Sequence, residues 1–473
     1  MRWIFVCLSL VLAATPEARA QGRFGKESPH IYPLGGIEAV GEVLSGGWIK
    51  VTTVADKGPA AKGKLRVGDV IQKVGGKKLA GDGNAVMLVF EAAVEAAEAK
   101  KKGKLVLTVE TTKGKTEKKT IPVKHLGSHA RSCPEKCKKC DAILRAALDY
   151  LKKEQTGDGQ FSKQAANMNH AVATAALAGL AWLGDPQGWK RYGRNINNAA
   201  EFVMKNAGKE RSMGMRPAAT GGGANWNQTN WSLGYGAIFL AELVKHKKKA
   251  SWLKALKRMV DQIAANQEQS GGWAHGPGGP NALGYLELEI MSNFTLAAMG
   301  MAERAGLQVD RAKLLKGIQW VKKCTSGGGV AYSPKPGQAG HGDPGRTAGA
   351  YWAFRQCGRK GRDTAAMAKF YERGMAELHE GHACATMHML NGALASALIG
   401  KKSRKAYWKM WRPFFMASRG VGGAFDYRPN KESSVLGGRT DRTWGPAFVT
   451  AHYAIVMQLG RGRYKLLDTP RKP

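Results

Sequence analysis

The segment IAANQEQSGGWAH, from Ile263 to His275, ends a polar helical pattern in a glycine-rich turn that closes on an aromatic residue, Trp273. Comparable endings recur along the second part of the chain. They are LDYLKKEQTGDGQF closing on Phe161, GGGANW closing on Trp226, IQWVKKCTSGGGVAY closing on Tyr332, and FMASRGVGGAFDY closing on Phe425 and Tyr427. A period of roughly 50 to 60 residues predicts a repeat architecture.

Each turn leads into a stretch that is apolar nearly all round, such as HAVATAALAGLAWLG (170–184), which is typical of a buried helix. The stretches between them, such as WLKALKRMVDQIAANQ (252–267), are amphipathic and rich in lysine, which predicts peripheral helices. Six helices of each kind predict an (α/α)6 toroid over about 141–465. Its inner helices are expected to begin near His170, Asn230, Leu286, Arg346, His382 and Pro446.

The turns and the buried helices that follow them resemble the superfamily of terpenoid cyclases and protein prenyltransferases. That resemblance implies an α/α toroid. The acidic Asp-x-Asp-Asp motif of squalene-type cyclases does not occur, and neither does an alignable Asp, Cys and His zinc set of the prenyltransferases. The resemblance therefore transfers the fold and not those reactions.

The first part of the chain carries KGPAAKGKLRVGDVIQKVGGKKL (57–79), followed by the helical pattern NAVMLVFEAAVEAAEAK (84–100). This segment resembles the signature of PDZ domains almost position by position. The resemblance implies a small β-rich domain over about 30–124. The whole chain is similar to a family of secreted bacterial proteins that joins a PDZ domain to an α/α toroid; Ser132-Cys133-Pro134, GRTAGA (345–350) and GHA (381–383) match that family.

In a PDZ domain a partner's C-terminus adds as a strand beside the longer helix. The carboxylate-binding loop best matches YPLGGI (32–37), which makes Leu34, Gly35, Gly36 and Ile37 the expected peptide-binding residues. The loop departs from the usual Gly-Leu-Gly-Phe form. The alternative is a PDZ fold that packs on its neighbour and binds no peptide.

The first 20 residues predict a secretory signal peptide, with Arg2, a short apolar stretch and a small-residue cleavage site at Ala18–Ala20. We therefore expect export to the periplasm or beyond, with no membrane span. The excess of 73 Lys and Arg over 36 Asp and Glu, a net charge of +37, favours anionic surroundings such as an acidic glycan, a phospholipid surface or extracellular nucleic acid. The alternative is a host whose exported proteins are generally basic. No motif of a sequence-specific nucleic-acid binder occurs.

Six cysteines follow the signal, and three of them lie in CPEKCKKC (133–140), in a linker over about 125–140. A disulfide, free thiols and a metal all remain open there, although a zinc ribbon is disfavoured because no second cysteine pair has matching spacing. The histidine-rich HEGHACATMHML (379–390) lacks the spacing of a zincin helix. We expect neither a structural zinc in that segment nor a cofactor elsewhere.

The starts of the inner helices predict a polar ring at one mouth of the toroid, above an apolar wall, as in ligand pockets. The expected ligand-binding residues are Asn169, His170, Asn230, Glu287, Arg346, His382 and Trp444. Helix N-termini gathered there favour an anion.

Two functions follow from these patterns. The first is a secreted binding protein that recognises a peptide through the PDZ domain and a ligand in the central pocket. The alternative is a carbohydrate-active enzyme, a lyase or hydrolase of an acidic glycan, with Asn169, His170, Arg346, Tyr351 and His382 as acid–base and charge-neutralising candidates. A terpenoid-type cyclase is a third, disfavoured hypothesis.

Overall fold

The structure is a computed structural model that describes residues 31–161, 168–209, 228–277, 288–334, 342–381, 384–430 and 439–470. The predicted signal peptide lies outside these residues, so export stays a prediction. Within them, no helix combines the length and the hydropathy needed to cross a bilayer.

The N-terminal unit is a small antiparallel sheet covered by one long helix. Its strands are β1 (Ile31–Pro33), β2 (Ala39–Val43), β3 (Ile49–Val54), β4 (Val70–Val74), β5 (Lys77–Lys78), β6 (Gly103–Glu110) and β7 (Thr116–Val123), and its helices are α1 (Pro59–Lys62) and α2 (Gly83–Glu98). The sheet order is β1-β2-β3-β4-β6-β7, with β5 paired to β4. Asp82 starts α2 because its side chain accepts the backbone N–H of Ala85 at 2.9 Å.

Twelve helices follow within the described residues, alternating between an outer and an inner set. The outer helices are α3 (Lys138–Glu154), α5 (Gly188–Asn206), α7 (Ala250–Ala265), α9 (Arg311–Lys323), α11 (Arg362–Gly374) and α13 (Lys401–Ala417). The inner helices are α4 (Met168–Leu183), α6 (Thr229–His246), α8 (Glu289–Ala305), α10 (Pro344–Gln356), α12 (Ala385–Ile399) and α14 (Arg439–Val456).

The six inner helices form a closed ring. Each packs against the next in chain order, and α14 packs against α4 to complete the circle. The inner helices are buried along nearly their whole length, whereas the outer helices bury one face each. An α/α toroid with these six helices inside is thus confirmed.

The glycine-rich turns are close-packing points between repeats. In the turn that closes on Trp273, Gly271 has φ +105°, and a Cβ there would lie 2.8 Å from the Lys316 carbonyl oxygen of α9. The turn glycines with the same kind of approach to an outer-helix carbonyl are Gly159, Gly271, Gly328 and Gly423. Two residues after each glycine comes a buried apolar side chain: Phe161, Trp273, Val330 and Phe425.

This register corrects one sequence interpretation. The fourth turn was predicted to close on Tyr332, but the residue that takes the buried position is Val330, which is fully buried. Tyr332 comes two residues later and lies beneath the guanidinium group of Arg346, 5.1 Å from it. The aromatic ring is therefore part of the mouth of the toroid, where the candidate site lies.

The C-terminal segment closes the opposite end of the ring. The carboxylate of Glu242, near the end of α6, accepts the backbone N–H groups of Lys465, Leu466 and Leu467 at 2.6–2.9 Å. Trp352 of α10 donates to the Leu467 carbonyl at 2.9 Å. The C-terminal segment thus covers the ends of α6 and α10, and the candidate site described below lies at the opposite end, where the inner helices begin.

Candidate active site at the inner-helix starts

The start of α10 is held by an aspartate and a proline. Asp343 accepts the backbone N–H of Arg346 at 2.7 Å through Oδ1, and Pro344 occupies the first helical position, where no N–H is needed. The same Oδ1 lies 3.1 Å from His388 Nδ1 of α12. Gly345 permits this approach, because a Cβ at that position would collide with the imidazole ring of His388.

Glu289 begins the neighbouring helix α8 and is fully buried. Asn293, one turn further on, donates its side-chain amide to Oε1 of Glu289. Oε2 has no hydrogen-bond partner among the described residues. Burial raises the pKa of Glu289 well above its ordinary value, although the charge of Arg346 and the hydrogen bond from Asn293 oppose that change.

Asp343 shows the opposite behaviour. Burial alone would raise the pKa of Asp343. The charges of His388 and Arg346, together with the hydrogen bonds that Asp343 accepts, have the larger effect, so its pKa lies below the ordinary value. Two carboxyl groups at the starts of adjacent inner helices therefore have pKa values moved in opposite directions. The negative charge of Asp343 also raises the pKa of Glu289.

Arg346 supplies positive charge that lowers the pKa of both carboxyl groups. Its guanidinium group makes no ion pair within 4 Å of any described carboxylate, and it is partly exposed above the ring of Tyr332. A guanidinium group in this position is suited to a ligand carboxylate, which it can bind with two hydrogen bonds.

Two asparagines extend the polar wall deeper into the ring. Asn293 of α8 and Asn391 of α12 flank Gly349 of α10, where a Cβ would lie 3.2 Å and 2.8 Å from their amide nitrogens. The Oδ1 atoms of both asparagines are buried and have no hydrogen-bond partner among the described residues, as is also the case for the Tyr235 hydroxyl. Buried polar atoms without partners are rare in proteins and call for a bound group or water.

The comparison with family models gives one match. The model described as "Domain of unknown function (DUF6288)" matches residues 140–459, which is most of the chain and nearly all of the toroid. The chain belongs to the DUF6288 family. No curated protein matches this DUF6288 chain.

Several solved structures resemble this DUF6288 toroid at low sequence identity. An α-1,6-mannanase (GH76A) from Salegentibacter sp. HEL1_6 is 12% identical, with a TM-score of 0.46, over 68% of this chain and 98% of that one. A glycosyl hydrolase family 88 protein from Bacteroides vulgatus is 10% identical, with a TM-score of 0.45, over 68% and 99%. A type II terpene cyclase from Scytonema is 12% identical, with a TM-score of 0.41, over 68% and 97%.

Two of the predicted residues make hydrogen bonds within the protein. Asn230 is fully buried, donates to the Ala274 carbonyl and accepts from Asn266. The Tyr351 hydroxyl accepts from Arg355, one turn along the same helix. Glu287 and His382 lie outside the described residues.

His170 and Trp444 do lie together at the mouth, on the side of α4 and α14. Their ring centroids are 3.9 Å apart, and His170 Nε2 lies 2.8 Å from Gln228 Oε1. Burial lowers the pKa of His170 to about 4, so the ring is neutral. Asn169 is buried beside His170. Since His170 and Arg346 contact different neighbours, the structure does not support them as one acid–base set.

Neither Asp343 nor Glu289 was among the residues predicted for the site. The signal for Asp343 was present: an aspartate directly before a proline and a small-residue helix start is typical of a helix N-cap. Within HEGHACATMHML, Cys384 faces Asp441, with Sγ 2.8 Å from Oδ1, while His388 faces Asp343.

The predicted peptide-binding loop is buried in an interface with the toroid. Leu34 and Ile37 are fully buried, and the Gly35 N–H donates to the Arg419 carbonyl at 3.0 Å. Glu91 lies against Gly35, and Glu98 lies against Gly36. The loop N–H is therefore used, and two acidic side chains oppose a ligand carboxylate, so the structure favours the alternative that this loop packs on its neighbour.

Proposed function

We propose that the protein is a carbohydrate-active enzyme that hydrolyses an acidic glycan at the mouth of the toroid. The observation that carries the proposal is the pair Glu289 and Asp343, two nearby carboxyl groups whose environments move their pKa values in opposite directions. Such a pair can supply a general acid and an ionised partner, and glycoside hydrolysis uses two carboxyl groups in those two roles.

Glu289 is the general acid. Its raised pKa favours the protonated form, and Oε2, which has no hydrogen-bond partner among the described residues, can carry the proton to the glycosidic oxygen as the bond to the anomeric carbon breaks. Asp343 is the ionised partner. It stabilises the positive charge that develops on the sugar ring and takes the proton of the attacking water. His388 holds Asp343 in place, and Arg346 binds a carboxylate of the substrate.

The N-terminal unit is a PDZ-like domain in this proposal, on the strength of the signature over 57–79. Its loop at Leu34–Ile37 serves to dock the unit on the toroid. The sequence analysis also predicted that this loop binds a peptide C-terminus. That function is less well supported, because the Gly35 N–H already donates to the Arg419 carbonyl. Exported location is part of the proposal, since an acidic glycan would be met outside the cytoplasm.

The proposal is tested by incubating the purified protein with uronate-containing and neutral polysaccharides and measuring new reducing ends. Glu289→Gln and Asp343→Asn are each expected to lower kcat by at least about 100-fold while the thermal unfolding midpoint stays close to that of the wild type. Glu372→Gln, which changes an exposed glutamate on the outer helix α11, is the matched control and should keep full activity.

Arg346→Gln is expected to raise KM for the acidic substrate much more than KM for a neutral one. Products with a new ultraviolet absorbance would indicate a β-eliminating lyase instead of a hydrolase. Full activity in both Glu289→Gln and Asp343→Asn would refute the assigned site.

A further inference from the structure

A second cluster of reactive side chains lies where the N-terminal unit meets the toroid. His129 and Cys133 come from the segment between β7 and α3, Cys137 directly precedes α3, and Cys140 lies in its first turn. One ligand atom from each of the four residues lies within 4.8 Å of all the others. Cys137 and Cys140 are fully buried. The cluster is separate from the mouth of the toroid.

The distances around the histidine match a tetrahedral metal centre. His129 Nδ1 lies 3.7 Å from Cys133 Sγ, 3.7 Å from Cys137 Sγ and 3.5 Å from Cys140 Sγ. A zinc ion bonds sulfur at about 2.3 Å and imidazole nitrogen at about 2.0 Å, which places the nitrogen about 3.6 Å from each sulfur in a tetrahedron. All three nitrogen–sulfur distances are close to that value.

The surroundings orient the ligands as in known zinc sites. His129 Nε2 lies 2.8 Å from Glu95 Oε1 of α2, which favours the proton on Nε2 and leaves the Nδ1 lone pair facing the three sulfurs. The Ala130 N–H donates to Cys137 Sγ at 3.3 Å, which stabilises a thiolate. A carboxylate behind a ligating histidine is the usual outer partner of zinc.

We propose that His129, Cys133, Cys137 and Cys140 bind one Zn²⁺ ion as a structural site. Three thiolates and one imidazole are the donors that zinc prefers, and four protein ligands leave no open position for a substrate. Because Glu95 belongs to α2 while Cys140 belongs to α3, the ion fastens the linker between the N-terminal unit and the toroid. The ion pair of Lys139 with Glu98, at 2.8 Å, crosses the same junction.

The competing arrangement is a disulfide between Cys133 and Cys140. Their sulfurs lie 2.8 Å apart, closer than the roughly 3.8 Å expected for two thiolates on one zinc ion and longer than the roughly 2.05 Å of a disulfide bond. An exported protein can form such a bond. The two arrangements differ in metal content and in the number of free thiols, so one experiment separates them.

The experiment uses full-length protein purified without added metal or chelator. Elemental analysis should find one zinc per chain, and titration with an organomercurial reagent should release it to a chromophoric zinc indicator as the thiolates react. Replacement by Co²⁺ should give the intense visible bands of tetrahedral cobalt with thiolate ligands. Protein without zinc, in which two cysteines stay unreactive after unreduced denaturation, would overturn the proposal in favour of the disulfide.

Variants assign the ligands. Cys137→Ser should lose the zinc, whereas Cys324→Ser, which changes a buried cysteine at the end of α9, should retain one equivalent. Glu95→Gln should keep the zinc but weaken its binding about 10- to 100-fold against a competing chelator. If Cys137→Ser does not fold, the release of zinc from the wild-type protein by the organomercurial reagent still tests whether thiolates hold the ion. Zinc retained by a folded Cys137→Ser variant would contradict the assigned ligand set.

Discussion

At the scale of single residues, the site depends on how two carboxyl groups are solvated and what charges face them. Glu289 is fully buried, and one of its oxygens has no partner among the described residues, so its charged form is penalised. Asp343 is partly exposed and lies against His388 and the backbone N–H of Arg346, so its charged form is stabilised. Arg346 favours the charged form of both groups.

This arrangement predicts a pH profile. The proposed hydrolase activity should be highest where Asp343 is ionised and Glu289 is protonated, and it should fall as the pH rises through the pKa of Glu289. Arg346→Gln removes a charge that lowers both pKa values, so both limbs of the profile of kcat/KM should move to higher pH. Arg355→Gln, on the same helix but paired with Tyr351, is the control and should leave the limbs in place.

The shift can also be measured without substrate. The ¹³C chemical shift of the Asp343 carboxyl group, followed by NMR as the pH is varied, should report a higher pKa in Arg346→Gln than in the wild type. An unchanged titration of Asp343 would show that Arg346 does not act on this carboxyl group.

At the scale of elements, the repeat is built by glycines that let a turn touch the next outer helix. Gly271 and Gly306 both have φ +105°, but they differ in their surroundings. A Cβ at Gly271 would meet the Lys316 carbonyl oxygen at 2.8 Å, whereas nothing lies within 4 Å of a Cβ at Gly306. Alanine substitutions at these two glycines therefore separate the cost of the left-handed backbone from the cost of the steric contact.

We expect Gly306→Ala to destabilise the protein by about 1 kcal/mol, the usual cost of a left-handed alanine. Gly271→Ala should cost about 1–3 kcal/mol more, because the turn must also move away from α9. The free energies of unfolding are measured by chemical denaturation. Equal losses in the two variants would show that the turn can give way and that the contact with α9 is unimportant.

The sequence predicted the ring and not the pair of catalytic candidates, for physical reasons. Six stretches like 170–184, apolar on every side, can only be buried, so the inner helices could be read from composition. The approach of His388 to Asp343 depends on how α10 and α12 are rotated against each other, and no local pattern fixes that rotation. In the fourth turn, the sequence predicted Tyr332 at the buried position that Val330 takes, which shows that the register of a turn is likewise not fixed by local pattern.

The small β-rich N-terminal domain was implied by the resemblance of residues 57–79 to PDZ domains, but its docking on the toroid was not. The residues that decide the docking are more than 300 positions apart in the chain. Arg419 donates to Glu98 Oε1 and to Glu91 Oε1, each at 2.7 Å. The proposed zinc ligands are close in sequence, but the Glu95 carboxylate that contacts His129 comes from α2, which no local pattern indicates.

At the scale of the whole molecule, the two parts are joined by buried charges. Arg419 is almost fully buried between Glu91 and Glu98, and Lys139 pairs with Glu98 from the other side. Burial raises the pKa of Glu91 to about 7, even though Arg419 acts to lower it. Charged groups in such a place are stable only as a complete set, because each one alone would be desolvated without compensation.

Removal of Arg419 is therefore expected to weaken the docking of the N-terminal unit. Arg419→Met leaves two buried glutamates short of a partner and should cost about 3–5 kcal/mol at pH 8. Arg404→Met, on the same segment of the toroid, breaks a more exposed pair with Glu135 and should cost no more than about 1 kcal/mol. Both losses are measured by calorimetric unfolding.

The loss should also depend on pH, with a sign that follows from Glu91. Its pKa in the folded protein lies above the unfolded value, so its contribution to stability is fully present below about 4.5 and is lost as the pH rises to about 7. Arg419→Met should therefore be less harmful at pH 5, where Glu91 is largely neutral, than at pH 8. Adding Glu91→Gln to Arg419→Met should restore part of the stability at pH 8 and change little at pH 5. A loss that is equal at both pH values, and that the second substitution does not relieve, would mean that Arg419 acts through packing and not through its charge.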